Sequence, residues 1–169
     1  FSFGDDAKAL DEYGWYSTNA DDRTHKVGQK RPNAWDLYDM HGNVAEWVLD
    51  EYTPEGYLRF RGKLVSGREA FQAPTKLFPR VLRGGSFELP ARKCRSAARF
   101  ASEDEAWKSE DPNLPASPWW FTTSPATGVG FRILRPLVPP DKAEEREQFW
   151  SADVEEIKEE VKLRIYEQD

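Results

Sequence analysis

The sequence is organised around residues 33–47, which read Asn-Ala-Trp-Asp-Leu-Tyr-Asp-Met-His-Gly-Asn-Val-Ala-Glu-Trp. The segment combines three large aromatic side chains with carboxylates, a histidine and a glycine. Rigid rings cover irregular backbone efficiently, and glycine permits tight turns that other residues disfavour. The pattern predicts a loop-rich domain, in which one or two helical turns are expected to run from Asn43 toward Val48.

The composition restricts the class of protein. The chain has 169 residues, which is enough for one domain with a core of its own. Aromatic residues make up 14% of it and include seven tryptophans, so rings must fill much of that core. No long apolar run is present, which excludes a membrane-spanning helix. Nothing in the sequence assigns a compartment.

The net charge of −6 comes from the C-terminal end of the chain. Residues 141–169 contain 11 acidic and 5 basic side chains, whereas the two signs balance in the rest of the sequence. An acidic tail repels phosphates and anionic lipid, and no basic patch argues for nucleic acid. After Pro139-Pro140, apolar residues recur at helical spacing at Trp150, Val154, Ile157, Val161 and Ile165. We therefore predict a main domain over residues 1–138 and an acidic amphipathic helical tail over residues 139–169.

Two further motifs follow the central one: residues 80–87 read Arg-Val-Leu-Arg-Gly-Gly-Ser-Phe, and residues 128–132 read Gly-Val-Gly-Phe-Arg. In this order the three motifs resemble the formylglycine-generating-enzyme (sulfatase-modifying factor) family. The resemblance covers residues 1–135 and implies an α+β, C-type-lectin-like fold with little regular secondary structure, to which the C-terminal helix is an addition. Residues 4–6 (Gly-Asp-Asp) resemble a signature inside the family domain. Residues 1–138 are therefore expected to be its C-terminal portion, completed by a missing N-terminal portion or by a partner chain.

Local patterns predict the elements around these motifs. A short helix is expected over residues 7–13, and residues 92–99 are expected to be helical. A strand is predicted at residues 81–83, which read Val-Leu-Arg and end at the paired glycines. A second strand is expected over residues 129–134.

Asp39 and Glu46 make the strongest case for a metal site. Two carboxylates and the carbonyls of a tight glycine turn offer hard oxygen ligands, which suit Ca²⁺ better than a transition metal. The family resemblance implies a structural calcium bound by the carboxylates of Asp39 and Glu46 and by the carbonyls of Gly42 and Val44. In the alternative interpretation, the two carboxylates cap a helix and brace loops without any ion.

His25 and His41 are the only histidines in the chain. An iron site of two histidines and one carboxylate would need both of them on one open face, and nothing in the pattern brings them together. A histidine beside a glycine turn is more often a hydrogen-bonded loop residue, which is the interpretation that we adopt for His41.

Cys94 is the only cysteine, so the chain can form neither an internal disulfide nor a thiolate cluster. Aldehyde-generating members of the family use two cysteines, shortly after the Arg-Gly-Gly-Ser segment, to bind copper and activate oxygen. Cu(I) prefers two soft thiolates, so copper is not expected here. We predict that Cys94 is a small buried hydrophobe rather than a reactive thiol. Together with Arg83, it is nevertheless one of two candidate catalytic residues.

Arg83, Gly84 and Gly85 allow two interpretations. Paired glycines let the backbone approach a ligand closely, which would make this segment part of an active-site wall. The alternative is a tight turn after a strand, with Arg83 paired to an acidic neighbour. Arg99 and Arg132 are each predicted to form buried salt bridges.

A polar, proline-rich insertion over residues 101–127 contains the aromatic segment 118–121, Pro-Trp-Trp-Phe. Exposed contiguous aromatic residues usually mark contact surfaces. The segment is therefore either a platform for a peptide or a sugar, or a plug that covers a groove of the domain.

Two functions follow from these observations. The first is a family protein with oxidoreductase-like or protein-modifying activity, without true cysteine-to-formylglycine conversion. The second is a non-catalytic module on a lectin-like scaffold, which is stabilised by calcium and recognises a peptide or a glycan. The first function requires turnover and the second requires only binding, so a turnover assay separates them.

Overall fold

A computed structural model describes the protein over residues 1–75, 79–102, 128–133, 137–138, 141–142 and 159. The aromatic segment 118–121 and most of the tail predicted for residues 139–169 lie outside these described residues, and the domain boundary at residue 138 stays a prediction. In the described part of the chain, no helix is long and apolar enough to cross a membrane.

The described residues form short elements joined by long loops. The helices and strands are α1 (Leu10–Tyr13), β1 (Ala45–Glu51), α2 (Gly67–Ala70), β2 (Arg80–Arg83), β3 (Phe100–Ala101) and β4 (Val129–Gly130). Single 3₁₀ turns occur at Ala7–Ala9, Leu58–Phe60 and Ala91–Lys93. Large parts of the backbone therefore depend on side chains and turns for their hydrogen bonds.

The helix predicted over residues 7–13 is confirmed, as a 3₁₀ turn that runs directly into α1. A carboxylate oxygen of Asp6 accepts the Lys8 N–H at 2.9 Å, which satisfies one of the free donors at the start of the turn. The helix ends at Gly14, whose N–H donates to the Leu10 carbonyl at 2.9 Å. Leu10 is fully buried, so this short helix contributes directly to the core.

The four strands form one mixed sheet in the order β3-β2-β1-β4. β1 and β4 are parallel, with Ala45 opposite Val129 and Glu46 opposite Gly130. β2 and β3 are antiparallel. A small mixed sheet with few helices confirms the α+β class, whereas the C-type-lectin-like arrangement and the C-terminal helix stay predictions.

The strand prediction for residues 81–83 is confirmed by β2. Of the strand predicted over residues 129–134, the structure shows only Val129–Gly130, and residues 134–136 lie outside the described part.

The prediction of helical turns from Asn43 toward Val48 is wrong, because β1 occupies this segment. Gly42 and Asn43 have φ values of +77° and +62°, and left-handed residues cannot begin a right-handed helix. The Ala45 N–H then donates to the Gly128 carbonyl at 2.7 Å, which draws the chain into the sheet beside β4. The long-range pairing therefore overrides the local helical preference.

The prediction of a helix over residues 92–99 is also wrong, since only the 3₁₀ turn Ala91–Lys93 forms there. A continuing helix would need the Cys94 carbonyl to accept the Ala98 N–H. Nδ1 of His41 lies 2.8 Å from that carbonyl oxygen and forms a hydrogen bond with it. The Ala98 N–H donates to the Arg95 carbonyl instead, at 2.9 Å. A side chain from a distant loop thus ends the helix after one turn.

The chain divides into two compact units, the first formed by Phe1–Val48 with Val81–Arg132 and the second by Leu49–Arg80 with Ile133–Asp169. In the first unit, a core cluster is formed by Leu10, Tyr16 and Cys94, against which Phe1, Phe3, Leu89 and Ala91 pack. Every candidate catalytic or metal-binding residue predicted from the sequence belongs to this first unit.

The second unit is held by local polar contacts among its described residues. Ser66 and Glu69 form a capping box at the start of α2, in which each side chain accepts the other residue's N–H. The Glu51 carboxylate accepts both the N–H and the hydroxyl of Thr75, at 2.6 and 2.8 Å. These contacts fix the loop over residues 51–75.

Candidate functional site

Asp39 has a buried carboxylate, one oxygen of which has no hydrogen-bond partner among the described residues. Its side chain is 8% exposed, and its backbone adopts a left-handed φ of +54°. Oδ2 accepts the Gly28 N–H at 2.8 Å, whereas Oδ1 is buried and has no hydrogen-bond partner among the described residues. Burying a charged oxygen without a partner is costly. This atom therefore marks a position that suits a cation or a donor.

Glu46 on β1 binds the guanidinium of Arg132 with both carboxylate oxygens. Arg132 donates from Nε to Oε2 at 2.9 Å and from Nη2 to Oε1 at 2.6 Å, a bidentate geometry that is among the strongest ion pairs in proteins. Nη2 also donates to the Tyr38 carbonyl at 3.0 Å. The salt bridge predicted for Arg132 is confirmed, but the prediction that it is buried is wrong, because the Arg132 side chain is 34% exposed.

The charges of both carboxylates act on the same guanidinium. The hydrogen bonds to Glu46 raise the pKa of Arg132 most, partial burial opposes this, and the charges of Glu46 and Asp39 raise the pKa further. Of the four predicted calcium ligands, Glu46 thus contacts Arg132 directly, whereas Asp39 acts on it only through its charge.

A buried asparagine fixes the turn between these carboxylates. The Asn43 side chain accepts the His25 N–H at 2.9 Å and donates to the His25 carbonyl at 3.0 Å. The Asn43 N–H donates to the Trp15 carbonyl at 2.7 Å, and a Cβ on Gly42 would lie 2.0 Å from that same oxygen. Only glycine fits at position 42, and the turn that carries Gly42 and Val44 is held rigidly.

The predicted ligands Gly42 and Val44 have further contacts that place this turn. The Gly42 N–H donates to the Gly84 carbonyl at 2.9 Å. A Cβ on Gly130 would lie 2.8 Å from Cγ2 of Val44, so Val44 packs closely against β4. Among the described residues, no group of three or more His, Cys, Asp or Glu side chains forms a metal cluster. A calcium ion at this turn would therefore depend on backbone carbonyls.

The two histidines serve separate networks. His41 is buried, its Nδ1 lies 2.8 Å from the Cys94 carbonyl, and its Nε2 lies 3.0 Å from the Ser2 N–H. Because the carbonyl can only accept and the amide can only donate, these two contacts favour a neutral His41 with its proton on Nδ1, and the Ser2 hydroxyl also lies 2.9 Å from Nε2. Burial lowers the pKa of His41, and the hydrogen bond to the Cys94 carbonyl opposes that effect.

His25 contributes to the framework through stacking. Its ring lies 3.8 Å from the Trp15 ring at an interplanar angle of 11°, and Nε2 lies 2.8 Å from the Ala20 carbonyl. The Lys30 ammonium lies 3.9 Å from the Trp15 ring centroid. Trp15 is thus stacked on one side chain and contacted by a cation, which secures the loop that precedes the central motif.

Cys94 lies in the core and is fully buried. Burial raises the pKa of its thiol to about 11, so the sulfur is protonated at neutral pH and is a weak nucleophile in the folded chain. A Cβ on Gly85 would lie 2.7 Å from Sγ. The second glycine of the pair therefore approaches Cys94, which supports the tight-turn interpretation of Gly84 and Gly85.

Arg83 supports the chain after Cys94. Its Nη1 lies 3.4 Å from the Ser96 carbonyl and 3.3 Å from the Ala98 carbonyl. These contacts help to fix the irregular segment that replaces the predicted helix. Both candidate catalytic residues, Cys94 and Arg83, thus have structural contacts in this arrangement.

A loop held by internal hydrogen bonds presents an exposed tryptophan. Oδ1 of Asn33 accepts the N–H groups of Trp35 and Leu37 at 2.9 and 3.0 Å, and the Asn33 N–H donates to the Leu37 carbonyl at 2.9 Å. Trp35 is 76% exposed, and Phe131, which precedes Arg132, is 75% exposed. The exposed residues of this loop include Trp35, Leu37 and Tyr38, together with the charged Asp36.

The sequence alone did not identify three residues whose hydrogen bonds position the site. Gly28 supplies the N–H for Asp39, Tyr38 supplies a carbonyl for Arg132, and Asn43 binds His25. Only Asn43 carries a signal in the sequence: Gly-Asn pairs tolerate left-handed backbone, which points to a turn rather than a helix. The Gly28 and Tyr38 contacts use backbone atoms, which any residue could supply.

The chain is similar to solved structures and to one family model. Among solved structures, Treponema denticola variable protein 1 is 29% identical, with 73% of this chain and 36% of that chain covered and a TM-score of 0.49. PvdO from Pseudomonas aeruginosa is 28% identical, with 54% and 33% covered and a TM-score of 0.43. This chain thus spans about a third of the length of either protein, and no curated protein matches it. A family model for the sulfatase-modifying factor enzyme 1-like domain matches residues 4–111, and the chain belongs to that family.

Proposed function

We propose that this chain acts as a non-catalytic binding module of the sulfatase-modifying factor family, stabilised by calcium, and does not convert cysteine to formylglycine. The observation that carries the proposal is the burial of Cys94, whose thiol pKa is raised to about 11. Oxidation of a substrate cysteine through copper needs accessible thiolates. The only sulfur nucleophile of this chain is a protonated core residue.

The residues of the central turn fit the calcium that the family implies. Oδ1 of Asp39 is a buried anionic oxygen without a partner among the described residues, and Ca²⁺ prefers such oxygen ligands. In this proposal the ion is held by the carboxylates of Asp39 and Glu46 and by the carbonyls of Gly42 and Val44. It would supply positive charge that fixes the turn, in a structural role.

The exposed aromatic surface supports the binding role. Trp35 is presented by a loop that Asn33 holds through hydrogen bonds, so little conformational entropy is lost when a ligand contacts the ring. A flat exposed ring suits a peptide side chain or the apolar face of a sugar. We therefore propose a peptide or a glycan as the ligand, with Trp35 as the principal contact.

The competing function is the oxidoreductase-like or protein-modifying activity that the family name implies. A turnover assay with a cysteine-containing peptide, copper and oxygen tests it, with aldehyde formation followed by mass spectrometry. We expect no aldehyde from the wild-type chain. Aldehyde formation that is lost in Cys94→Ser would overturn the proposal, and aldehyde formation that survives this substitution would assign the chemistry to other residues.

The binding role needs a positive test of its own. The same peptide and a panel of oligosaccharides are titrated into the wild-type chain, Trp35→Ala and the control Leu64→Ala, a fully exposed apolar residue of the second unit. Saturable binding that Trp35→Ala weakens and Leu64→Ala does not would support the module. Equal binding by all three proteins would overturn the assignment of Trp35.

A further inference from the structure

Arg132 holds the same carboxylate that is proposed to bind calcium. Both oxygens of Glu46 accept hydrogen bonds from its guanidinium, at 2.6 and 2.9 Å, and the Tyr38 carbonyl accepts a third at 3.0 Å. The side chains of Arg132 and Glu46 are 34% and 19% exposed. The pair is therefore shielded from water more than an ordinary surface ion pair, and its Coulomb interaction is correspondingly less screened.

The charges of two carboxylates act on the guanidinium of Arg132. Asp39 and Glu46 supply the negative charges, and Arg132 neutralises one of them. A calcium ion would bring two further positive charges close to the guanidinium, and like charges in a partly buried site repel each other strongly. A cation at Asp39 and the Arg132–Glu46 pair are thus energetically opposed.

We propose that Arg132 is an internal competitor of calcium, which lowers the affinity of the Asp39–Glu46 site and holds the turn when no ion is bound. This inference rests on the proposed calcium role. It goes beyond that role because it assigns the control of affinity to a residue outside the ligand set. β1 and β4 stay connected without calcium, since Arg132 lies two residues after the end of β4 and Glu46 lies on β1.

The test compares calcium binding by the wild-type chain with that by Arg132→Gln, using isothermal titration calorimetry and thermal melting in calcium and in EDTA. Arg132→Gln removes the charge and keeps a polar side chain. We expect its calcium dissociation constant to fall about tenfold or more, because the electrostatic opposition is gone. We also expect a larger difference between its melting temperatures in calcium and in EDTA.

Two controls separate charge from other effects. Arg132→Lys keeps the charge but cannot form the bidentate contact, and its affinity should stay within about threefold of the wild-type value. Arg31→Gln removes a guanidinium that pairs with Glu12 at 2.6 Å in an exposed pair of the same unit. It should leave calcium affinity unchanged.

The outcomes distinguish the two proposals. Unchanged or weaker calcium binding by Arg132→Gln, or equal tightening in Arg132→Lys, would overturn the competition while leaving the calcium role intact. Absence of calcium binding in both the wild-type chain and Arg132→Gln would overturn the calcium role, and the competition with it.

A wild-type measurement covers the case in which Arg132→Gln does not fold. The Arg132 Nε–H signal in ¹⁵N-correlated spectra should shift during a calcium titration, because its hydrogen bond to Glu46 is weakened. An unchanged signal at saturating calcium would overturn the competition.

Discussion

His41 donates its Nδ1 proton to the carbonyl of Cys94 at 2.8 Å, and this contact joins the central turn to the segment after the paired glycines. The same ring accepts the Ser2 N–H through Nε2 at 3.0 Å. Protonation of Nε2 would place its N–H against the Ser2 N–H, and of these two Ser2 groups only the hydroxyl, 2.9 Å away, could accept it. The hydrogen bonds therefore favour the neutral ring.

The first prediction concerns the dependence of stability on pH. Burial lowers the pKa of His41 in the folded chain, so the unfolded chain binds the proton more readily. We expect the contribution of His41 to be complete above the ordinary histidine pKa of about 6.5. It should be lost as the pH falls from that value through the lowered pKa of the folded state.

The pH dependence is checked by urea unfolding of the wild-type chain and of His41→Gln. The measurements run from about pH 5 to pH 7.5, a range that brackets the ordinary histidine pKa. His25 is present in both proteins, so the difference between them isolates His41. The free energy of unfolding should decline more steeply toward low pH in the wild-type chain. Parallel curves would show that His41 does not titrate abnormally.

The second prediction concerns thiol reactivity. Cys94 is the only cysteine and is fully buried, with a thiol pKa raised to about 11. A thiol reagent at neutral pH should label the native protein only as fast as the protein opens, because the thiolate is the reacting species. The unfolded chain in urea should react completely with one equivalent. Rapid labelling of the native chain would contradict the buried, non-catalytic role of Cys94.

The sequence predicted well where local pattern decided the structure. The strand predicted at residues 81–83 is β2, and the helix predicted over residues 7–13 is present as a short helix. The predictions were wrong where contacts with residues distant in the sequence determined the structure. The left-handed backbone of Gly42 and Asn43 prevents a helix from starting at Asn43. β1 forms instead, because the Ala45 N–H donates to the Gly128 carbonyl next to β4.

The candidate site shows the same difference between features of local sequence and features that depend on distant contacts. The carboxylates Asp39 and Glu46 are visible in the sequence, and so is the charged partner Arg132. The contacts that position Asp39 are not, because Gly28 contributes only its backbone N–H. Burial of one carboxylate oxygen is likewise a property of the packed structure, which no local pattern encodes.

The third prediction separates backbone strain from steric clash at the paired glycines. Gly84 and Gly85 have φ values of +85° and +74°, a region that costs a side chain about 1–2 kcal/mol. A Cβ on Gly84 would meet only the Met40 carbonyl at 3.6 Å, whereas a Cβ on Gly85 would lie 2.7 Å from Sγ and 2.9 Å from Cα of Cys94.

Gly84→Ala should therefore cost about 1–2 kcal/mol, from strain alone. Gly85→Ala should cost about 1–3 kcal/mol more, because it also overpacks the core around Cys94. Urea unfolding of the two variants gives the difference directly. Equal losses would mean that Cys94 moves aside freely, and that the close approach of Gly85 has no energetic role.

The last prediction concerns Asp39 and the removal of calcium. An ion that binds only the folded chain stabilises it by about 2.7 kcal/mol at a hundredfold excess over its dissociation constant, so EDTA should lower the melting temperature of the wild-type chain. Asp39→Ala should abolish this difference, because it removes the buried oxygen Oδ1.

Asp36→Ala is the matched control: it also replaces an aspartate with positive φ, but one that is exposed. Both variants introduce the same backbone strain, so a calcium-dependent melting temperature that persists in Asp36→Ala and disappears in Asp39→Ala isolates the carboxylate. Calcium responses of equal size in the wild-type chain and Asp39→Ala would place any bound ion elsewhere.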